Sequence, residues 1–408
     1  MSTFFKLAWR NLWRNKRRTI ITVSSICFAM FYGLMMKSMI QGTYASLDNA
    51  MIKNSTGYLQ IQGLNYWDDK TIDHSMELTS EIAEAVNTTH GITTQVPKLD
   101  YFALASTGNI TKGVAIIGTD ASVEKSMSNM DTKVIEGTYF SGKSGGAMVP
   151  VNLAEYLQVE IGDTLVLFGQ GYHGVTAAGK FWTEGIIDLR IPMMNNTLVY
   201  IRLEDAQHLF GAESRLTHLA MMVDDPKQLE KIQNDLISKI DTSQYRVMNW
   251  KEMNAEYVQM AGTKNISSGI MIGILYLIVG FGIFGTLFMM TLERRREFSV
   301  MISIGMRRSK LAVVVFIESL LLGLVGGLAG IGVSLPLLAY LHANPIPLSG
   351  DLAEMYQAYG IEPEYHFAFE SGFIFNQFMV VFVLCVFLSI VPVMSVFKLD
   401  FVKALRGK

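Results

Sequence analysis

Four long apolar stretches constrain this chain more than anything else in it: Thr19 to Ile40, Ile266 to Leu292, Leu311 to Leu341 and Phe373 to Phe397. Each supplies the roughly 20 mostly apolar residues that a helix needs to cross about 30 Å of hydrocarbon. The third and fourth are long enough to tilt or to project beyond the bilayer. Hydrophobic residues make up 50% of the 408 positions and charged residues 17%, too apolar for a soluble enzyme of this size.

The connections between the stretches differ sharply in charge. Met1 to Arg18 holds six basic residues (Lys6, Arg10, Arg14, Lys16, Arg17, Arg18) and no acid. Glu293 to Lys310 has six basic residues against Glu293 and Glu297, and the tail after Phe397 has Lys398, Lys403, Arg406 and Lys408 against Asp400. His342 to Gly372 reverses the pattern, with Asp351, Glu354, Glu362, Glu364 and Glu370 and no Lys or Arg. Basic loops stay in the cytoplasm, so both termini and 293–310 are expected inside, with 41–265 and 342–372 outside. The long basic lead marks the first stretch as a retained anchor rather than a removed signal peptide. Arg17-Arg18 is read as part of that lead rather than as a twin-arginine signal. Cys27 and Cys385 both fall inside spans, so the outer region has no disulfide and must rely on its own core.

Phe4 to Arg18 sets Phe5, Trp9 and Leu12 or Trp13 at helical spacing among Arg10, Arg14 and Arg17. That pattern predicts an amphipathic helix over 1–18 at the cytoplasmic headgroups, with basic residues on anionic lipid. The outer region reads as mixed α and β and nested. Tyr58 to Gln62, Tyr101 to Ser106 and Val114 to Ile117 alternate as strands, and Glu77 to Asn87 has the spacing of a short helix. A β-rich insert is expected over about 133–209, from short apolar runs punctuated by turn residues. A strand, a helix over Asp225 to Ile240 and a last strand then resume, with Pro226 in the first turn and Asp224 or Asp225 as its cap.

Gly137 to Ser144, GTYFSGKS, matches the phosphate-cradling G-x-x-x-x-G-K-[ST] pattern, and Gly142 to Gly146 matches G-x-S-x-G. Both motifs need a strand before and a helix after, whereas Gly145-Gly146 follows here, so the segment is read as a glycine-rich turn. The histidines are scattered and none forms H-E-x-x-H, so no metal site is expected. Lys37 and Glu318 are the ionisable residues of the spans, fewer than an ion-coupled carrier uses. Lys37 can snorkel to the headgroups. Glu318 is expected to face the protein interior and bond to a neighbouring helix or the cytoplasmic loop. Gly269 and Gly273, Gly323 and Gly327, and Gly326 and Gly330 are each four apart, predicting close helix approach and, on the third span, a dimer seam.

Three segments resemble ABC-transporter permeases of the FtsX, MacB and lipoprotein-releasing (LolC/LolE) type: LAWRNLWRNKRRT near the start, Glu293 to Gly330, and IVPVMSVFKLDFVKALRGK at the end. The resemblance implies an α-helical membrane protein with four transmembrane helices and a mixed α/β extracytoplasmic domain, MacB-like, with a nested β-rich subdomain. It further implies that Glu297 to Lys310 forms or adjoins the coupling helix that docks on a cytosolic ATPase, with Glu297, Gly305, Arg307 and Arg308 at the contact. In that picture two permeases, identical or homologous, work with two ATPase subunits. ATP and Mg are used by the ATPase, this chain binds no cofactor of its own, and lipophilic cargo is taken from the membrane's outer side. The order of VEIGDTLVLF, FWTEGII and LVYIRLEDAQHLF resembles the lipoprotein-releasing group. Gly169 to Lys180, with Tyr172 and His173, then falls where one member of that group carries a chaperone-capturing loop. An efflux permease for drugs or peptides and a regulator of wall hydrolases are the rival readings within the family. A membrane-anchored enzyme would need a catalytic cluster that the sequence does not offer.

Overall fold

The computed structural model describes residues 2–14, 16–189, 192–351, 353 and 363–397. The basic tail after Phe397, together with Glu354 and Glu362, lies outside the described residues. Packing divides the chain into two units. One comprises Met1–Ala45, Met260–Pro347 and Glu364–Lys408, and the other Ser46–Gln259 and Leu348–Pro363.

The first unit is helical. Among the described residues it is built on four long helices, Lys16–Met51, Ala255–Glu293, Arg308–Ala343 and Ser371–Phe397, each long and apolar enough to cross a membrane; 46–51 of the first and 255–259 of the second belong to the other unit. All four extend to or beyond the bounds of the apolar stretches. Hydrophobicity marks only the part that meets lipid, while backbone hydrogen bonding carries the helix on into polar sequence. Their shared core joins Ile26, Met30 and Leu34 to Ile283, Leu287, Leu321, Val381 and Cys385.

Small residues set the approach of three of these helices. A Cβ on Gly323 or Gly327 would lie 3.0 Å from Cys385 Cβ or 2.8 Å from Phe378 Cε2, on the fourth helix. On Gly326 or Gly330 it would lie 2.6 Å from Ile26 Cβ or Met30 Cβ, on the first. The third helix is thus gripped on two sides within the chain through Gly323, Gly326, Gly327 and Gly330. Gly269 and Gly273 are different: among the described residues nothing lies within 4 Å of a Cβ built there.

The amphipathic helix spans Ser2–Arg14, and Lys16, Arg17 and Arg18 already belong to the first long helix. Ala8 and Leu12, with Phe4 beside them, are buried in the bundle core, whereas Phe5, Trp9 and Trp13 are exposed. The apolar stripe that was expected from Phe5, Trp9 and Trp13 therefore faces outward. A second stripe, at a spacing of four, packs inward.

Among the described residues the second unit carries twelve strands: β1 Leu59–Gly63, β2 Met76–Glu77, β3 Ile92–Ser106, β4 Thr111–Thr119, β5 Val134–Gly137, β6 Gly146–Pro150, β7 Thr164–Gln170, β8 Thr176–Ile187, β9 Leu198–Arg202, β10 Arg215–Leu216, β11 His218–Val223 and β12 Tyr245–Asn249. Strands β12, β1, β11 and the first half of β3 form an antiparallel sheet. One face of it is covered by helices Ser80–Thr88 and Leu229–Ile237 through Ile82, Val86, Leu229, Ile232 and Leu236. Ser80–Thr88 starts later than expected because Met76–Glu77 pairs with β10 and Thr79 caps the helix by accepting from Ile82 N–H.

The second half of β3 turns into a six-stranded closed ring: β3 pairs β4, β4 pairs β9, β9 pairs β6, β6 pairs β8, β8 pairs β7, and β7 returns to β3. Closure removes free sheet edges, and the interior is filled by Leu99, Ala103, Val114, Val149, Leu167 and Val199. The β-rich portion therefore begins near Leu99 rather than at 133. Two of its six staves come from upstream of the expected insert, so the 15-residue strand β3 belongs to both substructures.

The register of the sheet lines up a polar row: Arg246, Gln62, His218, Lys98, Thr119 and Arg202 are successive cross-strand neighbours. Gln62, His218, Lys98 and Thr119 are buried, and helix Ala121–Ser128 covers this part of the face. From that helix Glu124, fully buried, meets Lys98 Nζ at 3.0 Å and accepts from Thr119 Oγ1 at 3.0 Å. Asp100, two residues along β3, lies 3.8 Å from His218 Nε2. Burial pushes the Asp100 carboxyl up to about 7, against the lowering pull of Lys98. Burial likewise drives His218 well below its ordinary value, with Lys98 adding to the effect, so the ring is neutral.

Candidate functional site

The segment between the second and third long helices is a short helix, Arg295–Ser303, set off by a kink at Arg294 (φ −87°, ψ 2°). Phe298 fixes it to the bundle, buried against Leu311, Ala312, Val315 and Val396. Its end is a Schellman turn: Gly305 N–H donates to Ile302 O and Met306 N–H to Met301 O, both at 3.0 Å. Gly305 has φ +102°, a conformation that glycine adopts without the strain a Cβ brings. The third long helix then begins at Arg308, with Arg307 extended before it.

A charge network gathers at this end of the bundle. Arg294 Nη1 donates to Glu318 Oε2 at 2.7 Å, and Asn11 Nδ2 donates to Glu318 Oε1 at 2.8 Å. Arg294 also reaches Glu297 at 3.4 Å, Arg14 pairs with Glu297, and Arg18 pairs with Glu293. Burial raises the Glu297 carboxyl, but the Arg14 hydrogen bond and the charges of Arg14 and Arg294 outweigh it, leaving it below its ordinary value. Beside Arg294, Phe298 and Glu318 lies a cavity of about 20 Å³, room for about one water. The network ties the amphipathic helix, the first and third long helices and the short helix together.

These contacts sort the residues that the sequence singled out. Glu297, although exposed, pairs with Arg14 and Arg294, and Arg308 donates to Phe397 O at 3.0 Å. Gly305 shapes the turn, and Arg307 is exposed. Two outward residues were missed: Val300 and Ile304, the latter 82% exposed, which follow the exposed Arg296 at spacings of four; the exposed Arg307 comes after the turn. The signal was there in a charged loop that keeps apolar residues at helical spacing out of phase with its buried Phe298.

Two other sequence features do not make sites of this kind. In GTYFSGKS, Ser144 Oγ and Gly145 N–H both donate to the Asp205 carboxylate, and Ser141 N–H donates to Glu184. The segment leads into strand β6, not a helix, so the donors a phosphate would need are already taken by carboxylates that would repel it. Gly169 to Lys180 is not a projecting loop. Gly169 and Lys180 sit in the paired strands β7 and β8, and only a tight turn at Gly171–Val175 joins them. That turn is tied down: His173 N–H donates to Asp73 Oδ1 at 2.7 Å, and the Arg215 guanidinium lies 4.7 Å from the Tyr172 ring centre. Among the described residues, no group of three His, Cys, Asp or Glu is placed to hold a metal ion.

Residues 19–239 match the MacB-like periplasmic core domain, and residues 269–401 match the FtsX-like permease C-terminal domain. The chain belongs to the FtsX/MacB family of ABC-transporter permeases. The lipoprotein-releasing system transmembrane protein LolC of Neisseria meningitidis serogroup B is 21% identical to this permease over 250 residues, covering 59% of this chain and 60% of LolC. The macrolide export ATP-binding/permease protein MacB of Wolinella succinogenes is 22% identical over 398 residues, covering 91% of this chain and 57% of that protein. The permease thus spans about 60% or less of the length of these two relatives. The crystal structure of the periplasmic region of MacB from Actinobacillus actinomycetemcomitans aligns at a TM-score of 0.34 and 13% identity, over 49% of this chain and 92% of that one. The short helix and its charge network lie inside the FtsX-like match. The permease is a multi-pass membrane protein with a periplasmic α/β domain.

Proposed function

We propose that the helix Arg295–Ser303 and the turn after it are the surface on which a cytosolic ATPase docks and through which this permease is driven. The observation that carries this reading is the pairing of opposite sides on one short helix. Phe298 and the Arg294–Glu318 network fix the inner side to the bundle, while Arg296, Val300 and Ile304 are exposed on the other, with exposed Arg307 just past the turn. An exposed apolar pair rimmed by arginine is the composition of a binding patch, and a rigidly held helix transmits a push. The basic character of this end supports a cytoplasmic location by the positive-inside rule. In this reading the cargo is lipophilic, a lipoprotein or another lipid-like molecule, in line with the lipoprotein-releasing system of the LolC relative. Export of a soluble drug or peptide, closer to the MacB relative, and control of wall hydrolases are the alternatives.

Ile304→Asp and Arg307→Glu test the docking surface better than a bulky residue at Gly305, which would also strain the turn. Both positions are exposed, so the permease should reach the membrane normally. Each change should weaken ATPase association by about 1–3 kcal/mol, or uncouple hydrolysis from transport. Full ATPase co-purification with full transport in both variants would move the docking surface elsewhere.

Orientation is tested separately. In a chain without Cys27 and Cys385, the exposed positions in Lys143→Cys and Ser303→Cys should label from opposite sides, with 143 reached from outside intact spheroplasts. Labelling of position 303 from outside would invert the topology.

A further inference from the structure

At the basic end of the bundle the amphipathic helix does not lie flush on its neighbours. Between it and the first and third long helices is an apolar cavity of about 100 Å³, walled by Trp9, Trp13, Ile20, Ser24, Leu321 and Val325. Trp9 and Trp13 are 41% and 45% exposed, their rings 6.0 Å apart and edge to face, so both present indole surface at the mouth. Ala8 on the same helix is fully buried in the bundle core, while Leu12 also lines the gap.

Charge surrounds the opening. Arg14 and Arg18 are engaged by Glu297 and Glu293, whereas Lys6, Arg10, Lys16 and Arg17 are exposed and have no ion pair among the described residues. Helical spacing sets these cations beside the groove. Lys6 and Arg10 lie three residues before Trp9 and Trp13, and Lys16 and Arg17 lie four and three residues before Ile20. An apolar slot with indole rings and four cations at its rim matches one molecule in two parts: an acyl chain for the slot and an anionic headgroup for the cations.

We infer that this groove is a binding site for an anionic glycerophospholipid, with one acyl chain seated between Trp9, Trp13, Ile20 and Val325 and the phosphate on Arg10, Lys16 and Arg17. The site is independent of ATPase docking, because it uses the face of the amphipathic helix turned away from the charge network. A lipid held there would wedge the amphipathic helix against the third long helix.

The test uses the full-length permease in nanodiscs and the quenching of tryptophan emission by lipid brominated along its chains. A Trp9→Phe/Trp13→Phe variant isolates the signal of those two residues from that of Trp67, Trp182 and Trp250. At equal minor mole fraction, brominated phosphatidylglycerol should quench Trp9 and Trp13 more strongly than brominated phosphatidylcholine. Removing each cation in Arg10→Gln/Arg17→Gln should cut that preference about fivefold. Ser24→Phe and Val325→Phe fill the slot from opposite walls while leaving every cation in place, so each should lower quenching by brominated phosphatidylglycerol. Equal quenching by the two lipids means ordinary annular lipid, and undiminished preference in both filled-slot variants means surface charge attraction alone. Either result overturns the site.

Discussion

Arg294→Met is expected to destabilise the permease by about 3–5 kcal/mol, because it strips the cation from a buried carboxylate. Glu318 is among the buried residues, and its side chain is 9% exposed beside an Arg294 side chain at 13%. Asn11 would remain as its one partner, a neutral donor unable to balance a full charge. The double variant Arg294→Met/Glu318→Leu should recover most of the loss, since removing both charges also removes their desolvation cost. Thermal unfolding of the purified full-length chain, with the amount inserted in membranes, reads the effect. A single variant no less stable than the double one would show that the pair is water-filled and structurally idle. The sign of this coupling also bears on transport. If the proposed drive through the short helix holds, the double variant should fold yet transmit less well, because only the Phe298 packing and the exposed Arg14–Glu297 pair would still hold that helix to the bundle.

Lys98→Met should be comparably costly in the periplasmic domain, about 3–5 kcal/mol, by leaving Glu124 and Asp100 without their shared cation. Here the pH dependence supplies a second reading. Asp100 already binds its proton more tightly folded than unfolded, so its contribution to stability falls as pH rises from about 4 through about 7. With Lys98 gone, the charge that lowers Asp100 is lost and that window extends to higher pH. The deficit of Lys98→Met relative to the parent should therefore be larger at pH 8 than at pH 5. Lys98→Met/Glu124→Leu should restore stability in large part, and adding Asp100→Asn should flatten the pH slope. Unfolding followed at Trp67, Trp182 and Trp250, which lie in this unit, separates it from the helical bundle. A deficit that shrinks as pH rises would mean that Asp100 is ionised against some other cation.

The long apolar helices, the amphipathic lead and the presence of a mixed α/β domain were written in the sequence, because each depends on residues close together in the chain. Hydrophobic runs, a period near 3.6, and Gly or Asp at turns are local signals, and local signals survive without a structure. The same holds for the cap at Asp225, which accepts from Lys227 N–H at 3.0 Å. Sequence also marked Glu318 as a buried acid in need of a partner, but Asn11 and Arg294 could be named only once three segments had been brought together. What tertiary structure alone decided is pairing across distance. The ring closes through β3 and β7 and through two parallel pairings, β4 with β9 and β6 with β8, and no local period announces any of these. For the same reason the insert was placed too late and the Gly169–Lys180 hairpin was read as a loop. The row from Arg246 to Arg202 is the clearest case: six polar residues on six strands become neighbours through register alone. Along each strand they read as ordinary alternation. Only the hydrogen-bonded stagger of the folded sheet sets Lys98 beside His218 and under Glu124, where burial makes their charges count.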